Sequence, residues 1–373
     1  MKILQVFDFL SLPHGGGTVD IVYRLSKALS ARGHEVTICT GDHEIDYEYL
    51  SGLDETGVGL KMYHSYFNKH GVYLMPRLAK LDISGYDLIH LHCYRSLQNI
   101  ILTQKATKHK IPYIIDAHGS TVPRSGWKRL LLGAYDMLFG VDMTGRAKFV
   151  IAETDTGVAE WKRLGVKREQ IRVQHPLLDT LEFDVLPITK NVNPFTILFL
   201  GRIHQAKGID ILLEAFQKLV RGRDIRLVIA GQDDGYLEPL MALVSKVGLQ
   251  DRVSFTGFIN GQDKLSALVD ANVLVQPSRN EAGARPSLEA IMSGTPVIVS
   301  RDTGAGREIA RFDGGLLFKS GDAEGLANAI REIIEKPEEA KVRTEKAREY
   351  IIDNLSLDKQ ISQYEKLYQE VLK

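Results

Sequence analysis

The sequence predicts an α/β protein of two domains, each a parallel sheet covered by helices, and three observations lead to this prediction. Apolar runs of strand length alternate with longer helical stretches along the chain, which is the repeating pattern of such sheets. The chain has 373 residues, which is more than one ordinary core requires. Residues 271–300 show the repeat most clearly, because two apolar runs enclose a short helix that starts at Pro286 and stops before Gly294.

Composition and charge exclude several classes of protein. The 47 basic and 47 acidic residues balance and form no long block of one sign, so nothing indicates a nucleic-acid partner. The two cysteines, Cys39 and Cys93, lie in apolar runs and are expected in the core of a protein from a reducing compartment. We recognise no signal peptide and no apolar stretch of the roughly 18–20 residues that span a bilayer, so we expect a cytoplasmic protein.

The first half of the chain is expected to hold six strands and a glycine loop. Gly15, Gly16 and Gly17 follow the first strand and precede a helix at about residues 18–31. Glycine lets backbone amides approach a phosphate or a sugar, although a tight turn would explain the same residues. Their spacing matches neither the dinucleotide fingerprint nor the P-loop. The expected strands are Lys2–Phe7, Val36–Thr40, Val58–Tyr63, Leu88–His92, Tyr113–Asp116 and Phe149–Ala152.

Histidines stand at the ends of two of these strands. His90 and His92 share one face of their strand, since side chains alternate along it. A metal site is disfavoured because no HExxH pattern accompanies them. His92 and His118 occupy carboxyl ends of strands, where parallel sheets bind their ligands. We therefore expect His92 to line a cleft, whereas His118 is either a site residue or a histidine hydrogen-bonded into the core.

Residues 127–139 predict an amphipathic helix with Lys128 and Arg129 near its start. A helix of this kind can lie on a membrane surface. Packing against the protein's own sheet is the more common use of an apolar helix face, and it is the interpretation we favour for this segment.

The second half of the chain repeats the alternation. Residues 177–194 lack clear periodicity and carry Pro187 and Pro194, so they are interpreted as a linker. The last helix is expected to begin at Ser356, a suitable N-cap. The strands expected in this half are Thr196–Leu200, Arg226–Ala230, Val253–Thr256, Ala271–Gln276 and Pro296–Ser300.

Charged residues in this half predict a site for an anion that also carries hydroxyl groups. Arg202 and Lys207 flank a strand-to-helix turn, and two cations at a helix start suit a diphosphate. Glu281 lies in a loop, and Glu289 is placed in the first turn of the short helix. Carboxylates beside an anion site suit the hydroxyls of a ribose or a sugar. The alternative is that Glu289 only complements the helix dipole and that Glu281 is a solvated loop charge.

Taken together, these segments resemble the retaining glycosyltransferases of family 4, the group 1 family with the GT-B fold. The segment GRIHQAKGID resembles the family pattern G-R-x-x-x-x-K-G-x-D, and PSRNEAGARPSLEAIMSGTPVI resembles the pattern with two glutamates eight positions apart. The segment YDLIHLH and the loop of His118 resemble the strands that line the cleft of the first domain.

The resemblance implies two Rossmann-like domains that face each other across a deep cleft. Residues 1–185 would form the acceptor-side domain, joined by a helix at 356–373 that crosses back to it. Residues 186–355 would form the domain that binds the nucleotide-sugar donor.

The resemblance also implies a reaction. A sugar would pass from a UDP- or GDP-linked donor to a glycan, lipid-linked or small-molecule acceptor with retention of configuration and without a cofactor. Because the chain has no D-x-D, cations rather than a metal are expected to stabilise the leaving diphosphate. A nucleotide-sugar epimerase or hydrolase and a non-catalytic nucleotide-sugar-binding protein are the alternatives. Peripheral contact with the inner membrane face through residues 125–140 would favour a lipid-linked acceptor.

Individual roles follow from the same resemblance. His118 and Glu281 would be catalytic, while His92 and Arg285 would lie on the acceptor side. Gly16 and Gly17 would approach the donor phosphates or the acceptor. The sequence departs from the family pattern where an aromatic residue is replaced by Gly283, and where an I-P-N-G stretch is replaced by residues 173–176. The residues assigned to donor binding are Arg202, Lys207, Gly283, Ala284, Leu288 and Glu289.

Overall fold

A computed structural model describes residues 1–11, 17–43, 45, 47–66, 68–69, 72–121, 127–175, 177–183, 194–281 and 283–373. The chain divides into two compact units. The first contains residues 1–177 and 358–373, and the second contains residues 178–357. Each unit is a parallel sheet with helices, which confirms the predicted α/β class.

The first unit is built on a seven-stranded sheet with the order β3-β2-β1-β6-β7-β8-β9. All its strand pairs are parallel, so the carboxyl ends of the strands share one edge. A separate antiparallel pair, β4 and β5, lies outside it. The strands are β1 Lys2–Phe9, β2 Glu35–Gly41, β3 Gly59–Tyr63, β4 Asn68–Lys69, β5 Val72–Tyr73, β6 Leu88–His92, β7 Tyr113–Asp116, β8 Phe149–Ala152 and β9 Ile171–Val173.

Several helices in the first unit pack apolar residues on this sheet. Trp161 is fully buried, and its indole N–H donates to the Ile151 carbonyl at 2.8 Å. The helices are α1 Gly17–Ala31, α2 Tyr47–Asp54, α3 Leu97–His109, α4 Trp127–Tyr135, α5 Val141–Arg146, α6 Asp155–Arg163 and α14 Leu357–Val371. Strand β9 and helices α2, α3, α5 and α6 had no predicted counterpart, and β9 and α2 are also short.

The helix predicted over residues 127–139 is longer and less regular than expected. A π-helical turn, Asp136–Gly140, separates α4 from α5. The turn ends at a close contact, since a Cβ atom at Gly140 would lie 1.9 Å from the Tyr94 hydroxyl. The Arg95 guanidinium also contacts both oxygens of Asp136, at 2.9 and 2.8 Å. The turn is therefore held in place by groups on other elements of the unit.

The second unit is built on a six-stranded parallel sheet with the order β12-β11-β10-β13-β14-β15. Its strands are β10 Phe195–Leu200, β11 Ile225–Ala230, β12 Val253–Gly257, β13 Val273–Gln276, β14 Val297–Ser300 and β15 Leu316–Phe318. Its helices are α7 Ile209–Leu219, α8 Leu237–Lys246, α9 Gly261–Asp270, α10 Arg285–Met292, α11 Gly304–Ala310, α12 Ala323–Glu335 and α13 Pro337–Leu355. Every strand predicted here is present, with ends that differ by one or two residues.

The last helix of the chain belongs to the first unit, whereas the helix before it belongs to the second. Ser356 lies between the two helices. The inner face of α14 is apolar and aromatic, and Tyr364 and Tyr368 are buried against the sheet of the first unit. Among the helices that the structure describes, none combines the length and apolar character needed to cross a membrane.

Candidate active site

Two loops of the second unit meet closely at the carboxyl edge of its sheet. The loop after β10 ends in Gly208, which adopts a φ of 68°. A Cβ atom there would lie 2.1 Å from the carbonyl oxygen of Pro277, so only glycine allows the loop after β13 to approach. Arg279 ties the same two loops together, because its guanidinium donates to the Gln205 carbonyl at 2.9 Å, and it also contacts both oxygens of Asp210 in α7 at 2.7 and 2.6 Å.

Both cations predicted to bind a diphosphate lie on the loop after β10, and each is paired with a carboxylate. The Arg202 guanidinium lies 2.6 Å from Asp234, and both side chains are about half exposed. Lys207 forms an ion pair with Glu281, and these side chains are only 19 % and 18 % exposed. Ser278 donates a further hydrogen bond to Glu281 at 3.2 Å. Binding of a diphosphate would therefore require these pairs to open or to share their cations.

Glu289 is held by two cations that the sequence did not connect with it. Its Oε1 atom accepts from Nζ of Lys264 at 3.0 Å and from Nε of Arg285 at 3.2 Å. The carboxylate is 7 % exposed, so these charges offset its removal from water. The sequence predicted Glu289 in the first turn of the helix. Because α10 begins at Arg285, Glu289 lies in the second turn instead. Arg285, which we expect on the acceptor side, is one of the two cations that contact this carboxylate.

The remaining donor-site candidates lie in the loop between β13 and α10, which holds Gly283 and Ala284, and in α10 itself, which holds Leu288. The Ala284 amide donates to the Glu308 carboxylate at 3.2 Å, and both Ala284 and Leu288 are fully buried. The Gly283 carbonyl accepts from Gln276 at 3.3 Å. The side chains of Ala284 and Leu288 thus serve the core in this structure, and the Ala284 amide is already paired.

A second polar cluster lies at the carboxyl edge of the first unit's sheet. It contains His118, whose side chain is 2 % exposed and whose φ is 43°, a strained value for a residue other than glycine. Its Nδ1 atom lies 2.8 Å from Glu153, and its Nε2 atom lies 2.8 Å from Nδ1 of His92. Asp116 approaches the same Nε2 atom at 3.6 Å.

The hydrogen bonds continue from His92 into the core. Nε2 of His92 lies 2.6 Å from Oε1 of Gln5, and the Gln5 amide donates to the Tyr368 hydroxyl at 3.3 Å. That hydroxyl also lies 2.8 Å from Nδ1 of His90. The side-chain atoms of His90, His92 and Asp116 that could bind a metal ion lie within 4.8 Å of one another. Both ring nitrogens of His92 are nevertheless engaged by protein groups, so the geometry favours a hydrogen-bonded cluster over a metal centre.

Burial and charge set the protonation of this cluster. Burial lowers the pKa values of His90 and His92 well below the ordinary range, so both rings are neutral. Burial also acts to lower the pKa of His118, but the carboxylates of Asp116 and Glu153 outweigh it and raise that pKa. The Asp116 pKa is raised to about 6 by burial, against the effect of His118. His118 thus binds a proton more readily than the two neighbouring rings.

Of the three glycines predicted to form a loop, the structure describes one. Gly15 and Gly16 lie outside the described residues, and Gly17 is the exposed first residue of α1.

Comparison with known proteins identifies the family. The model of the group 1 glycosyl transferases matches residues 184–350, and that of glycosyltransferase family 4 matches residues 15–181. A GDP-mannose-dependent alpha-(1-6)-phosphatidylinositol dimannoside mannosyltransferase of Mycobacterium tuberculosis is 32 % identical, over 93 % of this chain and 91 % of the relative. The chain belongs to the group 1 glycosyltransferases. A second relative, the N-acetyl-alpha-D-glucosaminyl L-malate synthase of Bacillus anthracis, is 23 % identical over 97 % of this chain and 96 % of its own length.

Solved structures show that this glycosyltransferase has the GT-B fold of its family. The Anabaena protein HepE in complex with UDP and glucose superposes with a TM-score of 0.82 at 18 % identity, and covers 99 % of this chain and 100 % of that one. The predicted family and fold are therefore confirmed. No comparison tests the roles of individual residues.

Sequence reasoning missed several partners of the site residues in this glycosyltransferase. Glu153 directly follows β8, so the rule that located His118 at a strand end would also have found Glu153. Lys264, the partner of Glu289, lies on α9, and Asp234, the partner of Arg202, follows β11. Nothing in the sequence linked the members of either pair.

Proposed function

We propose that this glycosyltransferase transfers a sugar from a UDP- or GDP-linked donor to an acceptor hydroxyl with retention of configuration. One observation carries the proposal: the Lys207–Glu281 pair and the Glu289 cluster occupy the loop and helix that follow β13, beside the turn that follows β10. Cations and carboxylates at one strand edge suit a ligand that carries both phosphates and hydroxyls. Two relatives support this ligand class, since HepE has been crystallised with UDP-glucose and the mycobacterial relative depends on GDP-mannose.

Each charged group then has a task in donor binding. Lys207 and Arg202 bind the diphosphate, and Glu289 accepts from the ribose hydroxyls. Because Lys207 is paired with Glu281 before the donor binds, capture of the diphosphate by Lys207 frees Glu281 to accept from a hydroxyl of the transferred sugar.

The transfer step breaks the bond between the anomeric carbon and the diphosphate oxygen. The acceptor oxygen forms a new bond to the same face of that carbon, and its proton passes to the departing phosphate oxygen. Negative charge grows on the diphosphate as the bond breaks, so Arg202 and Lys207 stabilise the transition state more than the ground state.

An exposed apolar surface on α4, the π-helical turn and α5 supports a lipid-linked acceptor. The exposed fractions are 76 % for Leu130, 72 % for Met137 and 66 % for Val141, with Leu131, Leu138 and Phe139 also exposed. This exposure contradicts our expectation that the apolar face packs on the protein's own sheet. We propose that it inserts into the interface of a membrane at its cytoplasmic face, with the exposed Arg129 near anionic headgroups.

A panel of nucleotide sugars tests the donor proposal. One UDP- or GDP-linked sugar at about a hundred times its Kd should stabilise the protein by about 2.7 kcal/mol and should be consumed only when an acceptor is present. Release of free or epimerised sugar without an acceptor would instead indicate a hydrolase or an epimerase.

Vesicle binding tests the membrane proposal. The wild-type protein should co-sediment with anionic vesicles at low salt, and Leu130→Asp combined with Met137→Asp should abolish this. Met241→Asp is the matched control, because Met241 is 53 % exposed on the second unit. Equal loss of binding in the control, or no wild-type binding, would contradict the proposal.

A further inference from the structure

The contacts of His118 single out one partner on a neighbouring strand. Glu153 follows β8 directly, and its carboxylate lies 2.8 Å from Nδ1 of His118. We infer that Glu153 is a positioning residue that fixes the ring of His118 at the strand edge and keeps both of its nitrogens protonated. This inference rests on the proposed function, together with the catalytic role that the family resemblance implies for His118.

The order of donors and acceptors supports a doubly protonated ring. Tyr368 can donate to His90 while it accepts from the Gln5 amide. Oε1 of Gln5 then accepts from Nε2–H of His92, so Nδ1 of His92 must accept. The remaining donor for that nitrogen is Nε2–H of His118, while Nδ1–H of His118 donates to Glu153. With a doubly protonated His118, every hydrogen bond in this chain is therefore donated in one direction, from His118 towards His90.

The reverse direction also satisfies the partners, but it leaves charge uncompensated. It requires a rotated Gln5 amide and a neutral His118 that accepts from His92. His118 would then offer no positive charge to Glu153 at 2.8 Å or to Asp116 at 3.6 Å, although both carboxylates lie against its ring. Buried carboxylates without a cation are costly, and the raised pKa of His118 agrees with the charged form.

Groups from four elements face this ring or its partners. Asp116 ends β7, Glu153 follows β8, His90 and His92 lie on β6, and Tyr364 of α14 donates to Asp116 at 3.4 Å. Glu153 differs from Asp116 in one respect, since its side chain is 16 % exposed whereas that of Asp116 is 1 % exposed. A substitution of Glu153 therefore disturbs a partly exposed position, whereas a substitution of Asp116 would disturb a fully buried one.

The strained backbone explains why the ring needs a fixed partner. His118 holds a φ of 43°, and Gly119 after it holds 72°, so the loop turns sharply away from β7. Two short contacts on opposite sides of the imidazole restrict its rotation in this loop. Without the Glu153 contact, only the side of the ring that faces His92 would remain held.

Glu153→Gln tests the inference, because glutamine keeps the shape but cannot stabilise the cation as a carboxylate does. An NMR titration, with the signal assigned through His118→Gln, should show the His118 pKa fall by about one unit or more, a tenfold change in protonation. The basic limb of the kcat–pH profile should shift to lower pH by the same amount, while KM for the donor stays unchanged. Glu169→Gln removes an exposed carboxylate from the same unit and should change neither quantity.

A second variant covers the case in which Glu153→Gln does not fold. Glu153→Asp keeps the charge on a shorter side chain, so it should retain the basic limb near its wild-type position while kcat falls. An unchanged His118 pKa in Glu153→Gln, or a Glu153→Asp profile shifted to lower pH with unchanged kcat, would overturn the inference. Failure of the proposed function would look different, since the wild-type protein would transfer no sugar while the titration still reported the Glu153 effect.

Discussion

The polar strand edges of the two units differ in how their charges are satisfied. In the first unit, the His118 side chain is 2 % exposed and contacts protein groups on both sides of its ring. In the second unit, Lys207 is 19 % exposed and Arg202 is 51 % exposed, and each is paired with a single carboxylate. Charges near water exchange partners at low cost, whereas buried charges do not. The second edge is thus suited to capture an anion, and the first is suited to hold a fixed charge.

Removal of the less exposed cation should give the largest effect on donor binding. Lys207→Ala should weaken the donor and lower kcat/KM together, because a charge-assisted contact to the diphosphate of about 1.5–3 kcal/mol is lost. Calorimetry of nucleoside diphosphate binding measures the affinity. Lys218→Ala is the control, since Lys218 forms an exposed pair with Glu324. An unchanged affinity in Lys207→Ala would place the diphosphate elsewhere.

Glu289 and Glu281, the two carboxylates at the strand edge of the second unit, should affect donor binding and turnover differently. Glu289→Gln should weaken the nucleoside diphosphate and the intact donor alike, because the ribose is bound equally in ground and transition states. Glu281→Gln should spare the nucleoside diphosphate, and it frees Lys207 from its pair, yet it should lower kcat. Inhibition constants for the bare nucleoside diphosphate decide between them. Equal losses in both variants would refute separate roles.

The pH dependence of stability should arise more from His118, at the strand edge of the first unit, than from the charges at the strand edge of the second unit. The pKa of His118 is raised in the folded protein, so its contribution to stability is fully present below the ordinary histidine pKa of about 6.5 and is lost as pH rises through the raised value. The wild-type Tm should therefore fall over that interval by more than the Tm of His118→Gln. Parallel curves for the two proteins would show that His118 is neutral in the fold.

The smallest expected effect is that of a chelator. If cations alone stabilise the leaving diphosphate, EDTA should leave the transfer rate unchanged. A rate that vanishes in EDTA and returns with magnesium or manganese would show that Arg202 and Lys207 are not sufficient.

Local sequence patterns located most of the fold. Strands β6, β7 and β8 match the predicted limits, because short apolar runs bounded by polar turns have few alternatives in an α/β chain. The same patterns placed Arg202 and Lys207 at a strand-to-helix turn, since the carboxyl ends of parallel strands carry the loops. Strand β15 was missed because three residues are too few for a periodic signal.

The sequence by itself thus determined the α/β class, the family resemblance and which residue types stand at the strand ends. Tertiary structure alone decided which of them meet. Lys264 reaches Glu289 from 25 positions away, and Glu153 reaches His118 from 35 positions away. Such pairs depend on strand order and helix packing, and local periodicity in the sequence carries no information about either. The contact of Tyr94 with Gly140, at the end of the π-helical turn, is of the same kind, because it joins residues that are far apart in the sequence.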